Sequence, residues 1–436
     1  MIDLKSAIWA VFVAVPLLGC GEDGESSGSG GAGGTGGSGG SGGSGAAPSC
    51  PGGEDVSGCS VALSPSADDT TALQSAFIDA KSGDTVCLCK GSYSFTKELS
   101  LAVPQVTLKG LGASPDDVVL DFAGQTQGDD GMTVTSDGFT AENFALKNSP
   151  GNGLVVSGAE DVTFRKLKVS WDAGSVTKNG AYAVYPVKSK RVLIEDSEII
   201  GAADAGVYVG QCNQAIVRRN KVHGNVAGIE IENSSDAEVY ENEAYDNTAG
   251  ILVFTLPNLE KKDGNRALVR DNSVHDNNRD NFAEAGSIVS NVPTGTGLLI
   301  LAADQTEIRQ NQVKNNKSAG VVIVSMTTLN IVLQTQPDPA TDPDPEQTFI
   351  HGNTFSGNGT DPQGILATFN VKPLEDVAWD GVVKAGVTDP MLCLGDPPLP
   401  SFRNLHAPGG LLNPAQHTTD ATPHQCTLAA LPAVTW

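Results

Sequence analysis

Two glutamates stand two residues apart in the string AGIEIENS (227–234), and an aspartate precedes the similar string AGVYVGQC (205–212). In a β-strand, residues two apart point to the same face, with Cα atoms roughly 6.5–7 Å apart. Carboxylates at that separation could serve as acid and base on a glycoside, or hold a calcium ion. We therefore take Glu230, Glu232 and Asp204 as candidate catalytic residues. The alternative is that both glutamates are ordinary solvated strand residues.

Aromatic and amide side chains accompany these carboxylates. Tyr185 and Tyr208 fall in the same outward column as Glu230, so their rings would stack on successive strands and offer a surface for sugar rings. Polar side chains also occupy the turns beside these strands. The candidate substrate-binding residues are Asn179, Tyr185, Lys188, Tyr208, Gln211 and Asn233.

A repeated unit must position all of these residues. Each unit has an Ala-Gly or Thr-Gly step, a short hydrophobic strand, about ten further residues and a second strand, as in AGILVFTL (249–256), TGLLILAA (296–303) and AGVVIVSM (319–326). Val217 and Val239 are 22 residues apart, which suits one coil of short strands. Strands this short cannot bury a face alone, so the coils must stack. The pattern predicts an all-β parallel β-helix.

The alignment of coils also predicts a cover. Longer intervals place insertions at 257–266, 279–295 and 331–347. The outward face is polar and aromatic over the coils in residues 180–233, and then becomes apolar at Leu252, Phe254, Leu299, Leu301, Val322 and Val324. A bare apolar sheet face is unfavourable in water, so we expect the insertions or the C-terminal residues to cover it. The polar stretch would then lie open beside the cover as a groove.

Three further columns fall in register. One predicts a hydrogen-bonded amide ladder, formed by Asn220, Asn242, Asn272, Asn311 and Asn353. A second column alternates in charge and predicts an ion-pair ladder formed by Glu142, Arg165, Glu195, Arg218, Tyr240, Arg270, Arg309 and His351. The alternative is that Arg218 serves as the base of a lyase. A third aligns Cys212 with Ser189 and Ser234, which indicates a small buried residue at a turn rather than a nucleophile.

The charge and cysteine content limit the partners and the compartment. The net charge of −24 lacks the basic footprint of a nucleic-acid-binding protein, and a polyuronate would need bridging cations or a local basic groove. Cysteines in an exported chain favour disulfides. We expect disulfides among Cys50, Cys59, Cys87 and Cys89, with a zinc site as the alternative for these four. We also expect a bridge between Cys393 and Cys426, which leaves Cys212 as a free cysteine.

The N-terminal residues indicate an exported lipoprotein. Residues 1–19 form a signal peptide, the string LLGC makes Cys20 the lipidation site, and residues 20–48 are a Gly/Ser-rich flexible tether. An ordinary cleaved signal is the alternative. Gly21 after the cysteine favours the outer membrane or cell surface. The lipid anchor would then be the chain's contact with the membrane.

The remaining chain divides into three parts. Residues 49–100 are predicted to form an N-terminal cap and first strands, residues 101–370 the β-helix repeats, and residues 371–436 an irregular, proline-rich C-terminal cover. The cap contains a helix whose apolar face comprises Ala72, Leu73, Ala76, Phe77 and Ala80.

The strings NGAYAVYPVKS (179–189), GAADAGVYVGQC (201–212) and NVAGIEIENSSDAEVYENEAYDNTAGILVFTLPNL (225–259) resemble a bacterial family of secreted parallel β-helix repeat proteins. This family belongs to the right-handed, pectin-lyase-like group, so the resemblance implies a right-handed β-helix over roughly residues 60–375. The leader and tether resemble those of myxobacterial lipoproteins. Wider relatives include pectate lyases, polygalacturonases, mannuronan epimerases and carbohydrate-binding surface proteins, and fold analogy alone does not choose among them. The Gly-His-Gly string of polygalacturonases and the Asp-Pro-His-Asp string of mannuronan epimerases do not occur in this sequence.

Three hypotheses of function follow. The favoured one is a surface-anchored lipoprotein that interacts with polysaccharide or a cell-envelope glycan, with catalysis left open. The first alternative is a carbohydrate-active enzyme, either a polysaccharide lyase or a glycoside hydrolase, with calcium as the candidate cofactor. The second alternative is a structural or adhesive cell-surface protein.

Overall fold

Three parallel sheets wind around one apolar core in the computed structural model, which describes residues 48–436. The predicted right-handed parallel β-helix is thereby confirmed. The signal peptide, the lipidation site Cys20 and nearly all of the tether lie outside the described residues. Every neighbouring pair of strands is parallel, so each coil contributes one strand to each sheet in turn.

Sheet A has 12 strands. They are β1 (Val61–Leu63), β2 (Thr85–Leu88), β5 (Thr107–Gly110), β8 (Thr140–Glu142), β11 (Glu160–Arg165), β14 (Lys190–Glu195), β17 (Asn213–Arg218), β20 (Ser235–Tyr240), β23 (Asn265–Arg270), β26 (Glu307–Arg309), β29 (Thr348–His351) and β32 (Leu392–Cys393).

Sheet B has 10 strands. They are β3 (Gly91–Ser94), β6 (Val118–Asp121), β9 (Ala145–Lys147), β12 (Lys168–Ser170), β15 (Glu198–Ile200), β18 (Lys221–His223), β21 (Glu243–Tyr245), β24 (Ser273–His275), β27 (Gln312–Lys314) and β30 (Thr354–Ser356).

Sheet C has 11 strands. They are β4 (Lys97–Leu101), β7 (Gln127–Val134), β10 (Leu154–Ser157), β13 (Tyr182–Val187), β16 (Ala205–Gly210), β19 (Ala227–Glu232), β22 (Ala249–Phe254), β25 (Thr296–Leu301), β28 (Ala319–Val324), β31 (Val377–Trp379) and β33 (Phe402–Asn404).

The corner between sheets A and B carries the expected asparagine ladder. The amide nitrogen of the Asn220 side chain donates to Asn242 Oδ1 and to the Ile194 carbonyl, both at 3.0 Å. The backbone N–H of Asn220 donates to the same Asn242 oxygen at 3.0 Å. The same pattern runs on through Asn272, Asn311 and Asn353. Each side chain therefore satisfies backbone groups that a buried corner would otherwise leave without partners.

A second ladder, which the sequence reading missed, lies at the corner between sheets B and C. Its members are Asn225, Asn247, Asn277, Asn316 and Asn358. The glycine of each Ala-Gly or Thr-Gly step lies against this ladder. A Cβ added to Gly228 would stand 2.9 Å from Asn247 Nδ2 and 2.5 Å from the Gly250 carbonyl oxygen. The repeated glycine is therefore required, because the asparagine ladder and the backbone of the next coil leave no room for a Cβ at this position.

The third corner, between sheets C and A, holds small residues. The thiol of Cys212 donates to the carbonyls of Gly210 and Pro186 at 3.2 and 3.5 Å, and Ser234 Oγ makes the equivalent bonds one coil further along. Burial raises the pKa of the Cys212 thiol to about 12. These contacts give Cys212 a structural position at the corner.

The N-terminal end of the stack is closed by helix α1 (Asp69–Asp79), on which Leu73 and Phe77 are buried. Asp68 caps the helix by accepting a hydrogen bond from the Thr71 backbone N–H. Two disulfides, Cys50–Cys89 and Cys59–Cys87, tie the first residues to this end.

The remaining helices are short. They are α2 (Met326–Leu333), α3 (Gly364–Ala367) and four 3₁₀ turns at Pro115–Asp117, Ile288–Asn291, Pro414–Gln416 and Thr422–His424. Within residues 48–436, no helix has the length and apolar character needed to cross a bilayer.

The C-terminal segment corrects one expectation. Residues 371–436 were predicted to be irregular, but β31, β32 and β33 extend sheets C and A. These strands are only two or three residues long and lack the Ala-Gly step, so their sequence did not show the repeat. The β-helix therefore continues to residue 404.

Beyond the Cys393–Cys426 disulfide, Thr427–Trp436 form a strap across the outer face of sheet A. The backbone N–H groups of Leu431 and Val434 donate to Glu307 and Glu238 at 2.6 and 3.0 Å. These glutamates lie two coils apart, about 9.5 Å from the spacing of strands, which is close to the length of three extended residues. The strap therefore advances three residues for every two coils.

We predict that Asn247→Ala lowers the free energy of unfolding by roughly 3 kcal/mol, because it leaves several buried amide and carbonyl groups without partners. Chemical denaturation followed by circular dichroism measures the effect. Asn413→Ala is the matched control, because Asn413 is exposed and should change stability by less than about 0.5 kcal/mol. Equal losses of stability from the two substitutions would contradict a contribution of the ladder to the stability of the fold.

Candidate functional site

The outer face of sheet C changes character along the stack. One outward column runs Ser100, Thr133, Val155, Tyr185, Tyr208, Glu230, Leu252, Leu299, Val322 and Ala378. The adjacent column runs Val187, Gly210, Glu232, Phe254, Leu301 and Val324. Both columns contain only apolar residues after Glu230 and Glu232, whereas the part before them also holds polar and aromatic residues.

The apolar part of this face is covered, as expected from its composition. Leu252, Phe254 and Leu301 are all at most 2% exposed. The covering side chains come from segments inserted between coils and from the residues after β33, and they include Leu256, Val289, Val292, Met326, Leu366, Phe369, Leu405 and Leu411. The cover and the sheet together form a second apolar cluster outside the core of the β-helix.

Three tyrosines and three carboxyl groups meet at the border of this cover. We call this group the carboxylate–tyrosine cluster; it consists of Tyr182, Tyr185, Tyr208, Asp204, Glu230 and Glu232. The Tyr182 and Tyr208 rings stack with centroids 4.2 Å apart, and the Tyr185 ring meets the Tyr208 ring edge-on at 5.0 Å. Tyr182, Tyr185 and Asp204 are partly exposed, whereas Glu230 and Glu232 are buried.

Glu232 is held by Tyr208. The Tyr208 hydroxyl donates to Glu232 Oε1 at 2.5 Å. The Tyr208 side chain reaches this carboxylate by passing over Gly210, where an added Cβ would stand 2.2 Å from the ring. A glycine at this position therefore allows the contact between tyrosine and carboxylate in neighbouring coils.

Burial controls the protonation of the cluster. Burial, together with the nearby Glu232 charge, raises the pKa of Asp204 to about 7. Burial and the charges of Asp204 and Glu232 hold the pKa of Glu230 well above its usual range. Burial also raises the pKa of Glu232, although hydrogen bonds from Tyr208 and Glu230 favour its charged form. At neutral pH the cluster therefore retains protons that free carboxylic acids would have lost.

Two carboxyl oxygens in the cluster have no partner in the protein. Glu230 Oε2 and Asp204 Oδ1 are buried and accept no hydrogen bond among the described residues. Unpaired polar atoms at a protein site are costly, and they mark a place where a proton, water or ligand group can supply the missing bond.

The expectation of an open groove at Glu230 and Glu232 is wrong. Glu230 is 2% exposed and Glu232 is 6% exposed, because the tyrosine rings and the edge of the cover enclose them. The two carboxyl groups also influence each other's protonation. Because both are buried, neither is placed to reach a glycosidic bond directly. Asp204 is the most exposed carboxyl group of the cluster.

Three of the predicted substrate-binding residues hold a loop. Asn233 is fully buried and binds the backbone of Leu256 and Lys261 through both ends of its amide. Gln211 Oε1 accepts a hydrogen bond from the Lys261 backbone at 3.0 Å, and Lys188 forms an ion pair with Glu260. These side chains therefore anchor the insertion that follows β22, and Asn233 has no capacity left for a ligand.

Asn179 also lies outside the cluster. Its amide nitrogen donates to the carbonyls of Gly174 and Gly201, so it fixes the loop before β13.

The charged column on sheet A forms ion pairs, as its alternation suggested. Arg165 pairs with Glu142 at 3.1 Å, and Arg218 pairs with Glu195 at 2.7 Å. A hydrogen bond with Tyr240, more than this ion pair, raises the pKa of Arg218. A guanidinium whose proton is held this firmly is unsuited to act as a lyase base.

Two features escaped the sequence reading. Tyr182 was missed, although it interrupts a column that otherwise holds Ala205, Ala227, Ala249, Thr296 and Ala319. The second is a set of carboxylates, Asp304, Asp342 and Glu346, whose oxygens lie within 4.8 Å of one another. The Lys384 ammonium pairs with Asp342 and Glu346, so an amino group already provides positive charge there.

The fold defines the class of protein. Residues 152–335 match the family model described as "Right handed beta helix region". Together with the parallel sheets that extend on both sides of this segment, the match makes the chain a right-handed parallel β-helix protein. No curated protein matches its sequence.

Solved structures share this fold at low identity. PfbA, a surface adhesin of Streptococcus pneumoniae, superimposes with a TM-score of 0.51 at 10% identity, over 73% of this chain and 81% of the adhesin. The A-module of the mannuronan C-5 epimerase AlgE4 of Azotobacter vinelandii gives 0.48 at 16% identity, over 75% and 89%. An exopolygalacturonase of Thermotoga maritima gives 0.45 at 11% identity, over 69% and 82%.

The raised pKa values predict that stability falls as pH rises. Between about pH 4 and 7 the folded chain keeps protons on Asp204 and Glu230 that the unfolded chain releases. For each such proton, the free energy of unfolding falls by up to about 1.4 kcal/mol for every unit by which pH rises in this range. This stabilisation is complete below about pH 4 and is lost as pH rises through the folded pKa values.

Glu230→Gln should therefore flatten the decline in stability with pH, since it removes one of these protons. Denaturation midpoints from pH 5 to 9 measure the slope. Glu241→Gln is the control on an exposed glutamate and should leave the slope unchanged. A Glu230→Gln slope equal to that of the unaltered chain would refute the retention of a proton by Glu230 in the folded state.

Proposed function

We propose that this chain is an exported β-helix lipoprotein that binds polysaccharide at the carboxylate–tyrosine cluster. The observation that carries the proposal is the packing of three tyrosine rings around carboxyl groups at the border of the cover. Aromatic rings offer apolar faces to sugar rings, while carboxyl groups bind sugar hydroxyls. Such a combination of a few polar groups and aromatic walls is typical of a ligand site.

A ligand would meet the partly exposed members of the cluster first. These are Tyr182, Tyr185 and Asp204. The partly exposed Asp204 carboxyl group could bond to a sugar hydroxyl, and the Tyr185 ring could stack on a sugar ring. A half-protonated Asp204 near neutral pH also reduces the repulsion that a fully charged cluster would exert on an acidic polysaccharide.

Catalysis is the second candidate, and the raised pKa values favour it. A carboxyl group with a pKa near 7 can act as general acid at neutral pH. In this arrangement Asp204 would donate a proton to substrate, and the buried Glu230–Glu232 pair would hold a proton behind it. Burial raises the pKa of all three carboxyl groups, which favours a carboxyl group that stays protonated at neutral pH, as a general acid must be.

The lipid anchor and the outer-membrane location belong to this proposal as well. They rest on the LLGC string that ends at Cys20 and on the Gly/Ser-rich tether. Such a tether would let the β-helix reach glycans at a distance from the membrane. Palmitate labelling of the expressed chain, with Cys20→Ala as the control, tests the anchor.

A polysaccharide panel with the soluble fragment from Ala47 onward tests the function. Retention on a polysaccharide and release of unsaturated or reducing products are measured together, with calcium and with chelator. We expect Tyr185→Ala to weaken retention about fivefold, because one stacking contact is worth about 1 kcal/mol. Glu241→Gln should leave retention and product unchanged.

The variants separate binding from catalysis. If the chain is an enzyme, Asp204→Asn and the double variant Glu230→Gln, Glu232→Gln should each reduce product at least about 100-fold while the polysaccharide is still retained. Retention without product supports the binding lipoprotein. Absence of both retention and product would overturn the proposal and leave a structural or adhesive role.

A further inference from the structure

An apolar cavity of about 90 Å³ lies between sheet C and its cover, further along the stack than the carboxylate–tyrosine cluster. Its walls come from four strands of the sheet, β22, β25, β28 and β31, and from several covering segments. The residues that line it include Leu299, Leu301, Val322, Leu329, Leu366 and Leu411. The space is several times the volume that one water molecule occupies by the same measure.

The polar groups in the wall of the cavity are already bonded within the protein. Asp380 accepts hydrogen bonds from the Ser325 backbone and hydroxyl at 2.8 and 2.7 Å and from the Thr328 hydroxyl at 2.6 Å. Thr296 donates to the Pro293 carbonyl at 2.7 Å. A water molecule needs two or more polar partners, and a sugar needs more. The wall therefore suits neither of them and suits a hydrocarbon.

The charge in the wall excludes one class of apolar ligand. Asp380 is the charged residue that lines the cavity, and it is 2% exposed. No lysine or arginine lines the cavity to pair with an anion. A fatty-acid carboxylate would enter without a partner and beside a negative group, which is costly at low dielectric. An uncharged chain meets no such penalty.

The rim of the cavity offers an apolar entrance. Ile288 lines the cavity and is 42% exposed, and Leu412, next to the lining residue Leu411, is 41% exposed. These two side chains belong to different covering segments. Large exposed apolar residues at the edge of an apolar cavity favour contact with an apolar partner.

We propose that this cavity binds a single uncharged alkyl chain. The chain belongs either to a free alcohol or to an amphiphile whose head group stays outside. Phe254, which lines the cavity, pairs with Glu232 in the adjacent coil, so the cavity begins one coil beyond the carboxylate–tyrosine cluster. Binding of the alkyl chain itself does not depend on the polysaccharide function.

Saturation-transfer NMR and calorimetry with three six-carbon ligands test the proposal on the full chain. 1-Hexanol should bind, with saturation of its methyl protons, and hexanoate should bind at least tenfold more weakly. Hexyl glucoside that binds more tightly than hexanol would identify an amphiphile as the ligand, and equal affinities would identify the free alkyl compound. Absence of hexanol binding at millimolar concentration, or equal binding of hexanoate, would overturn the proposal.

Substitutions locate the bound chain. Val322→Phe should fill the cavity and reduce hexanol affinity at least tenfold, whereas Val383→Phe, at a residue that is 64% exposed, should leave affinity unchanged. Ile288→Asp at the rim provides a second variant that does not disturb the interior, and it should also weaken binding. Hexanol affinity that survives both Val322→Phe and Ile288→Asp would refute the assignment of the site.

Discussion

The structure depends on the satisfaction of backbone groups at its buried corners. Two asparagine ladders accomplish this, because each amide bonds to the backbone and side chain of the next coil. The ladders fix the axial spacing and the register, since a residue displaced by one position would lose all of these bonds at once. The repeated glycine then follows from the ladder rather than from any need for flexibility, because its neighbours leave no room for a Cβ.

Because the register is fixed, residues at equivalent positions of successive repeats are stacked along the axis of the β-helix. Tyrosine, glutamate and leucine occur at equivalent positions of successive repeats and so become neighbours on the outer face of sheet C. The covering segments bury the apolar part of that face, and their edge reaches the carboxyl groups. Ionised carboxylates are poorly solvated there, so protons are retained and the tyrosine hydroxyl becomes the main hydrogen-bond donor to Glu232. The unusual protonation of the site is therefore a consequence of where the cover ends.

The sequence was sufficient for the architecture because each element is short, repeated and locally encoded. Val217, Val239 and the first asparagine column gave the coil length, and the apolar outward residues implied a cover. The burial of Glu230 and Glu232 could not be predicted, since it depends on how much of the outer face of sheet C the inserted segments cover. The role of Asn233 was missed for the same reason, as its partners lie in a loop with no repeat. Tyr182 carried a detectable signal, because it replaces a small residue in a column of small residues. Strand alignment thus fixes which residues share a face, but not which of them reach solvent.

The C-terminal strap has a consequence for how the stack comes apart. In a solenoid each coil touches its neighbours, so a terminal coil can fray while the rest stays ordered. Here the chain end runs from the disulfide at β32 back to Glu307, Glu238 and Gln214, which belong to coils well inside the stack. Loss of the last coil must therefore detach contacts several coils away. A one-dimensional array acquires in this way a long-range tie, which couples its last coil to coils further inside the stack.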